Sequence, residues 1–149
     1  MEEKIKVLDL FSGIGGFSYA SEHLVGGFET VAFCEIDKFC QRVLRKNFPN
    51  TPIYNDVKEL KNETNRFGRI NIVCGGFPCQ PFSLASHNRK GTEDDRYLWG
   101  EMFEISKMVK ADWIIGENVV GLQSMGLEQI LLDLEGEGYQ SQVFNIPAL

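Results

Sequence analysis

The chain is poor in the residues that announce the commonest kinds of site. Its two histidines, His23 and His87, and its four cysteines, at 34, 40, 74 and 79, form no C-x-x-C pair and no zinc-ligand spacing, so no metal is expected. It has no surplus of positive charge: the formal net charge is −6, and nothing global marks a nucleic-acid binder. No apolar run approaches the roughly 20 residues of a membrane span. The start, Met1-Glu2-Glu3-Lys4, lacks the apolar stretch of a secretory signal, so no membrane association and a cytoplasmic setting with reduced thiols are expected. There is no internal repeat and no low-complexity tract. At 149 residues the length prior is one domain with a real core.

What the chain does have is rhythm. Extended apolar segments alternate with helix-period patterns. Ile5 to Asp9 reads as a strand and Phe17 to Leu24 as a helix entered through glycines. Glu29 to Glu35 reads as a second strand, and Ile36 to Asn47 as a helix with Phe39, Val43 and Leu44 on one face. Pro52 to Asn55, Ile70 to Cys74 and Trp113 to Gly116 read as further strands. Leu98 to Lys110 and Leu127 to Leu134 read as helices, and Tyr139 to Ile146 as a sixth strand. Repeated β-α units predict an α/β fold, a mostly parallel sheet with helices on both faces and right-handed crossovers. Phe77 to Tyr97 is polar, charged and aperiodic, the mark of a functional lid or of disorder.

Candidate chemistry sits where strands end. Gly75-Gly76-Phe77-Pro78-Cys79-Gln80-Pro81-Phe82-Ser83 places a cysteine between two prolines, just past an apolar strand. Open α/β sheets bind ligands at that edge. Prolines fix φ on both sides of the thiol, which is either a packed small hydrophobe or a nucleophile. Asp9 to Phe17 is a glycine-rich turn (Gly13, Gly15, Gly16) that would admit a ligand close to backbone, though it is not the dinucleotide pattern G-x-G-x-x-G. Glu35 ends the second strand, where an acid can accept from ribose hydroxyls. Asp37 reads as a helix cap. Asp56, after the third strand, is alone more often a cap than a ligand, but acid-bearing strand ends beside a glycine turn jointly describe a nucleoside pocket. Glu117 follows Trp113-Ile114-Ile115-Gly116 and is expected to be partly buried, its pKa raised toward a general acid's range. The fourth and fifth strands are expected to be neighbours, so Cys79 and Glu117 would face one cleft.

In order and spacing from residue 5 to about 146, these segments resemble the DNA (cytosine-5) methyltransferase family. Asp9 to Phe17 is similar to its glycine motif, Glu35 and Asp56 to its cofactor acids, Pro78-Cys79-Gln80 to its catalytic motif and Glu117-Asn118-Val119 to its acid motif. Gly91 to Arg96 with Leu98-Trp99 resembles its mobile loop and following helix. Ala85-Ser86-His87-Asn88 departs from the small-Gly-Lys pattern usual there. The resemblance implies a Rossmann-like S-adenosylmethionine-dependent methyltransferase fold. It implies a cofactor site made of Asp9, Phe11, Gly13, Gly15, Gly16, Glu35, Ile36, Asp56, Val57, Pro78 and Leu98. Phe11 would stack on the adenine, Glu35 hold the ribose and Asp56 bond the adenine amino group. Cys79 would attack a flipped-out cytosine, with Glu117 at its N3. Gln80, Ser83, Arg96, Asn118 and Val119 would touch the substrate, and Arg89, Lys90 and Arg96 would suit phosphates.

The expected partner is double-stranded DNA. The family's arginine motif, target-recognition domain and final cofactor segment have no counterpart in residues 1–149, so this is expected to be a partial catalytic domain. A second polypeptide carrying the rest is one explanation; a truncated chain or a non-catalytic nucleotide-binding fragment are others. A related enzyme methylating cytosine in tRNA is the nearest alternative activity.

Overall fold

The computed structural model describes residues 3–78 and 98–147. Its centre is a parallel five-stranded sheet in the order β3-β2-β1-β4-β5. The strands are β1 (Ile5–Leu10), β2 (Phe28–Cys34), β3 (Ile53–Tyr54), β4 (Ile72–Gly75) and β5 (Trp113–Gly116). The chain builds outward from β1 to β3, then returns to the far side of β1 for β4, so the strand order reverses between β1 and β4. In open α/β sheets, ligands bind at the carboxyl ends flanking such a reversal.

The helices follow from what each strand face leaves uncovered. Leu8, Leu10, Ala32, Cys34 and Val73 point to one face. There they pack with Val57 and Leu60 of α3 (Val57–Leu60), Trp99, Met102 and Ile105 of α4 (Trp99–Met108), Leu122 of α5 (Leu122–Met125) and Ile130 of α6 (Leu127–Gly136). The Trp99 indole donates to Asp133 Oδ2 at 2.8 Å and ties α4 to α6. On the other face, Phe33 packs with Leu44 of α2 (Lys38–Asn47) and with Phe48. Beside them runs α1 (Gly16–Tyr19), which continues as a π-wound turn over Ala20–Val25. There Gly26 N–H donates five residues back to Ser21 O.

This second face is only partly covered. An apolar cleft of about 290 Å³ opens between Val7, Ile72 and Ile115 of the sheet and Phe17 and Val25 of the helix. In β5, the outer strand among the described residues, Trp113 is 68% and Ile115 44% exposed.

Several expectations need correction. Tyr139 to Ile146 is not a strand; residues 139–147 carry no regular structure. Their composition suits a strand, but a strand needs a ladder partner, and this segment lies exposed apart from Tyr139, whose hydroxyl donates to Ala111 O at 2.7 Å. The second helix begins at Lys38 rather than Ile36, because Asp37 caps it, accepting from Cys40 N–H at 2.8 Å. The short α3, the 3₁₀ turn Lys61–Arg66 and α5 were not foreseen. They run four to six residues, too short for hydrophobic periodicity to register.

Two glycines are required by close approach. A β-carbon on Gly75 would strike the Leu10 carbonyl across the β1–β4 ladder. Gly15 combines φ +88° with Leu44 Cδ2 at 2.8 Å from any added β-carbon. Gly16 has open space instead. Gly75→Ala is therefore expected to destabilise by about 1–3 kcal/mol, the range for overpacking, and Gly16→Ala to stay within about 0.5 kcal/mol. Urea unfolding of the two variants makes the comparison; equal losses would contradict it.

Candidate active site

All five strands end on one side, and the residues following them converge there. After β1, Phe11 adopts φ +53° and Gly13 φ +54°, and nothing lies within 4 Å of a β-carbon built on Gly13 or Gly16. The turn is an open cradle with its backbone facing out. It is fixed from the side by Ser12, whose hydroxyl donates to Asp9 O at 2.7 Å and whose N–H donates to Cys34 O at 3.1 Å.

Glu35 holds the second strand end to the first. Its Oε2 accepts from Gly13 N–H at 2.7 Å and its Oε1 from Asp37 N–H at 2.8 Å. Each carboxylate oxygen has further acceptor capacity, so Glu35 is oriented by the protein yet still able to take hydroxyl donors. The buried Gln41 braces this corner: its amide donates to Glu35 O at 2.6 Å and to Asn55 Oδ1 at 2.9 Å, joining the ends of β2 and β3. Sequence reasoning missed Gln41, although a polar residue three before Leu44 on the apolar face of α2 is a signal.

Asp56 lies at the same edge and caps α3, with Oδ1 accepting from Lys58 N–H at 2.8 Å. Phe11 and Leu98 are partly buried against the main core, Val57 is buried within it, and Ile36 is exposed. Asp9 is 0% exposed, beneath the turn, where its carboxyl supports the cradle from below.

On the other side of the reversal, β5 is stitched to the segment leaving β4. Glu117 N–H donates to Gly75 O at 3.1 Å, and Asn118 Nδ2 donates to Phe77 O at 3.1 Å. Glu117 Oε2 lies 2.9 Å from the β-carbon position of Gly76. The acid therefore rests on the backbone three residues before position 79. Glu117 is exposed rather than partly buried, because β5 is the outer described strand and shields little. Val119 is exposed and Pro78 half-buried. Cys79, Gln80, Ser83, Arg89, Lys90 and Arg96 lie outside the described residues.

The described cysteines are poor nucleophiles. Burial pushes the Cys34 thiol up to about 12 and the Cys74 thiol further still. Cys40 is also raised, first by desolvation and then by its bond with Asp37. A reactive thiolate needs the opposite environment.

A profile of the family described as C-5 cytosine-specific DNA methylase matches residues 5–147. The chain is 37% identical over 139 residues to the Type II methyltransferase M.PspPI of Psychrobacter sp. (strain TA137), covering 90% of this chain and 33% of that protein. It is 37% identical over 127 residues to M.HpaII of Haemophilus parainfluenzae, covering 83% and 34%. Among solved structures, the Dnmt2 methyltransferase of S. pombe superposes with TM-score 0.67 at 23% identity, covering 92% of this chain and 43% of that one. The chain thus spans about a third of the length of these curated relatives. The fold is Rossmann-like, as in these methyltransferases.

Gln41→Leu would strip its donors from Glu35 O and Asn55 Oδ1. Asn55 Oδ1 keeps its bond from Lys38 Nζ at 3.1 Å, so the expected loss of about 1–3 kcal/mol comes mainly from the part-buried Glu35 carbonyl left without its donor. Arg45→Ala, which touches Gln41 from the surface, should stay within about 0.5 kcal/mol. Chemical denaturation distinguishes the two; a neutral Gln41→Leu would remove its bracing role.

Proposed function

Because the chain belongs to the C-5 cytosine-specific DNA methylase family, we propose that it is the cofactor-binding and catalytic part of an enzyme methylating C5 of cytosine in double-stranded DNA, in the setting of restriction-modification or phage DNA modification. The single observation that carries this reading is the junction of β4 and β5. There, Glu117 and Asn118 are bonded to the backbone that leads directly to Cys79.

The cradle fits S-adenosylmethionine. Open backbone at Gly13 and Gly16 leaves room for a ligand, and Glu35 is held in place with acceptor capacity to spare. Phe11 would stack on the adenine, Glu35 take the ribose hydroxyls and Asp56 the adenine amino group, with Gly15, Ile36, Val57, Pro78 and Leu98 shaping the pocket. When bound, the cofactor supplies an electrophilic methyl group.

This chain's residues would prepare the base that receives it. Cytosine C5 is a weak nucleophile, and the ring cannot be reached while stacked, so the base must be flipped out. Cys79 as thiolate would form a bond to C6, pushing an electron pair into the ring. Glu117 would hydrogen-bond or protonate N3 and draw that charge, leaving C5 nucleophilic. After methylation a base takes the C5 proton, the freed pair restores the C5=C6 double bond, and the C6–S bond breaks to release Cys79 as thiolate. Gln80, Ser83, Arg96, Asn118 and Val119 would contact the DNA. The raised pKa values of Cys34 and Cys74 support Cys79 as the nucleophile, since burial silences those two.

Base reading is assigned elsewhere. The relatives carry about two further thirds of sequence, the outer strand β5 exposes Trp113 and Ile115, and the net charge is −6. All three fit a chain that works with a complementary polypeptide segment, whether continuous with it or separate.

Duplex DNA carrying 5-fluorocytosine should trap a covalent adduct at Cys79 when the complementary segment and cofactor are supplied. Cys79→Ser should trap none, and Glu117→Gln should slow methyl transfer by about 10²–10⁴-fold. Residues 1–149 alone are expected to methylate weakly or not at all. Equal trapping by Cys79→Ser would overturn the nucleophile, and adduct formation on tRNA in place of DNA would reassign the substrate.

A further inference from the structure

We propose that Asp9 is a positioning residue that couples the cofactor cradle to the strand carrying the catalytic loop, and that it does so as a neutral acid. This rests on the reading of the cradle and of Cys79 given above. Asp9 is fully buried in β1. Its Oδ2 accepts from Ser18 Oγ at 2.7 Å, in α1, the helix that the cradle opens into. Across the ladder its register partner is Cys74 of β4, five residues before Cys79. Its Oδ1 has no hydrogen-bond partner.

A buried carboxylate with one oxygen orphaned is a costly arrangement. A neutral carboxyl there costs less, because protonation removes the charge that burial penalises. Burial accordingly raises the Asp9 carboxyl to about 7, against smaller opposing contributions from Ser18, Ser12 and Cys74. Those three side chains are the groups that face it from α1, the turn and β4, and no charged residue is among them. Cys74 feels the same contact, its thiol raised by burial and then by Asp9. Ionisation would place an uncompensated charge between α1 and β4, loosening both at once. A fold-stabilising role alone would not require the two segments to respond together.

The sign follows from linkage. The folded-state pKa lies above the ordinary carboxylate value, so the neutral form's contribution is complete below that ordinary range and is lost as pH rises through about 7. Hydrogen–deuterium exchange of the chain, corrected for intrinsic pH dependence, should show protection in residues 11–16 and 72–77 falling together across that interval. Asp9→Asn, neutral and nearly isosteric, should abolish the transition. Should that variant fail to fold, Ser18→Ala provides a second test. Removing the bond that favours the ionised form must move the midpoint upward. Calorimetric titration with S-adenosylmethionine should show wild-type affinity dropping about tenfold over one pH unit at most, and a flat profile for Asp9→Asn.

Identical exchange profiles in wild type and Asp9→Asn, a response confined to one segment, or an unmoved midpoint in Ser18→Ala would each overturn the inference. Absence of S-adenosylmethionine binding at every pH would instead overturn the cofactor reading, leaving the exchange result to decide Asp9's coupling of the two segments.

Discussion

The approach of β1 to β4 is the constraint from which the site follows. Gly75 lies against the Leu10 carbonyl, closer than any side chain would permit, and the two strands run parallel in register from Val7↔Ile72 to Leu10↔Gly75. Because the strand order reverses at this pair, the glycine cradle after β1 and the segment leading to Cys79 after β4 emerge side by side. A bulkier residue at Gly75 would separate the cradle from that segment. In the proposed reaction, methyl donor and nucleophile must address one base from neighbouring strands, and proximity of this kind is a large part of what an enzyme contributes.

Three carboxylates near this reversal show how placement sets role. Glu35 has two backbone donors and half-exposure, so it is oriented and remains an acceptor. Asp9 is sealed in the sheet, and burial raises its carboxyl to about 7. Glu117 stands in the open on β5, anchored through its own backbone N–H and the neighbouring Asn118 rather than through burial. The same functional group is thus an oriented acceptor, an internal strut or an open carboxylate according to what surrounds it. Desolvation and hydrogen bonding are the two variables that separate them.

The strand-to-helix alternation was legible because β-branched and aromatic runs of four to seven residues ended at glycines or capping acids; β1, β2, β4 and β5 lie within two residues of their expected limits. Asp37 was readable as a cap for the same local reason. Burial was less legible. Trp113-Ile114-Ile115 looks like an interior strand in one dimension, yet its exposure depends on whether another element lies beyond it, which a local pattern does not encode. The same holds for 139–147, where strand-forming residues lack a ladder partner. Asp9 is the converse: an acid in a strand pattern invites a ligand role, and only the three-dimensional placement of Ser18 and Cys74 shows that it points inward.

The uncovered surface and the charge argue together about division of labour. A parallel sheet is ordinarily shielded on both faces, whereas among the described residues an apolar cleft bounded by Phe17, Val25, Ile72 and Ile115 stays open and Trp113 of β5 is exposed. Phosphate binding draws on positive charge, and in this chain 15 Lys and Arg are outnumbered by 21 Asp and Glu. In the proposed function, a module that binds a cofactor and activates a base has no need of a broad basic surface, provided another segment grips the duplex. Under the proposed reading, apolar shielding and DNA affinity are two aspects of one requirement, which a single complementary segment would satisfy by covering the sheet while gripping the duplex.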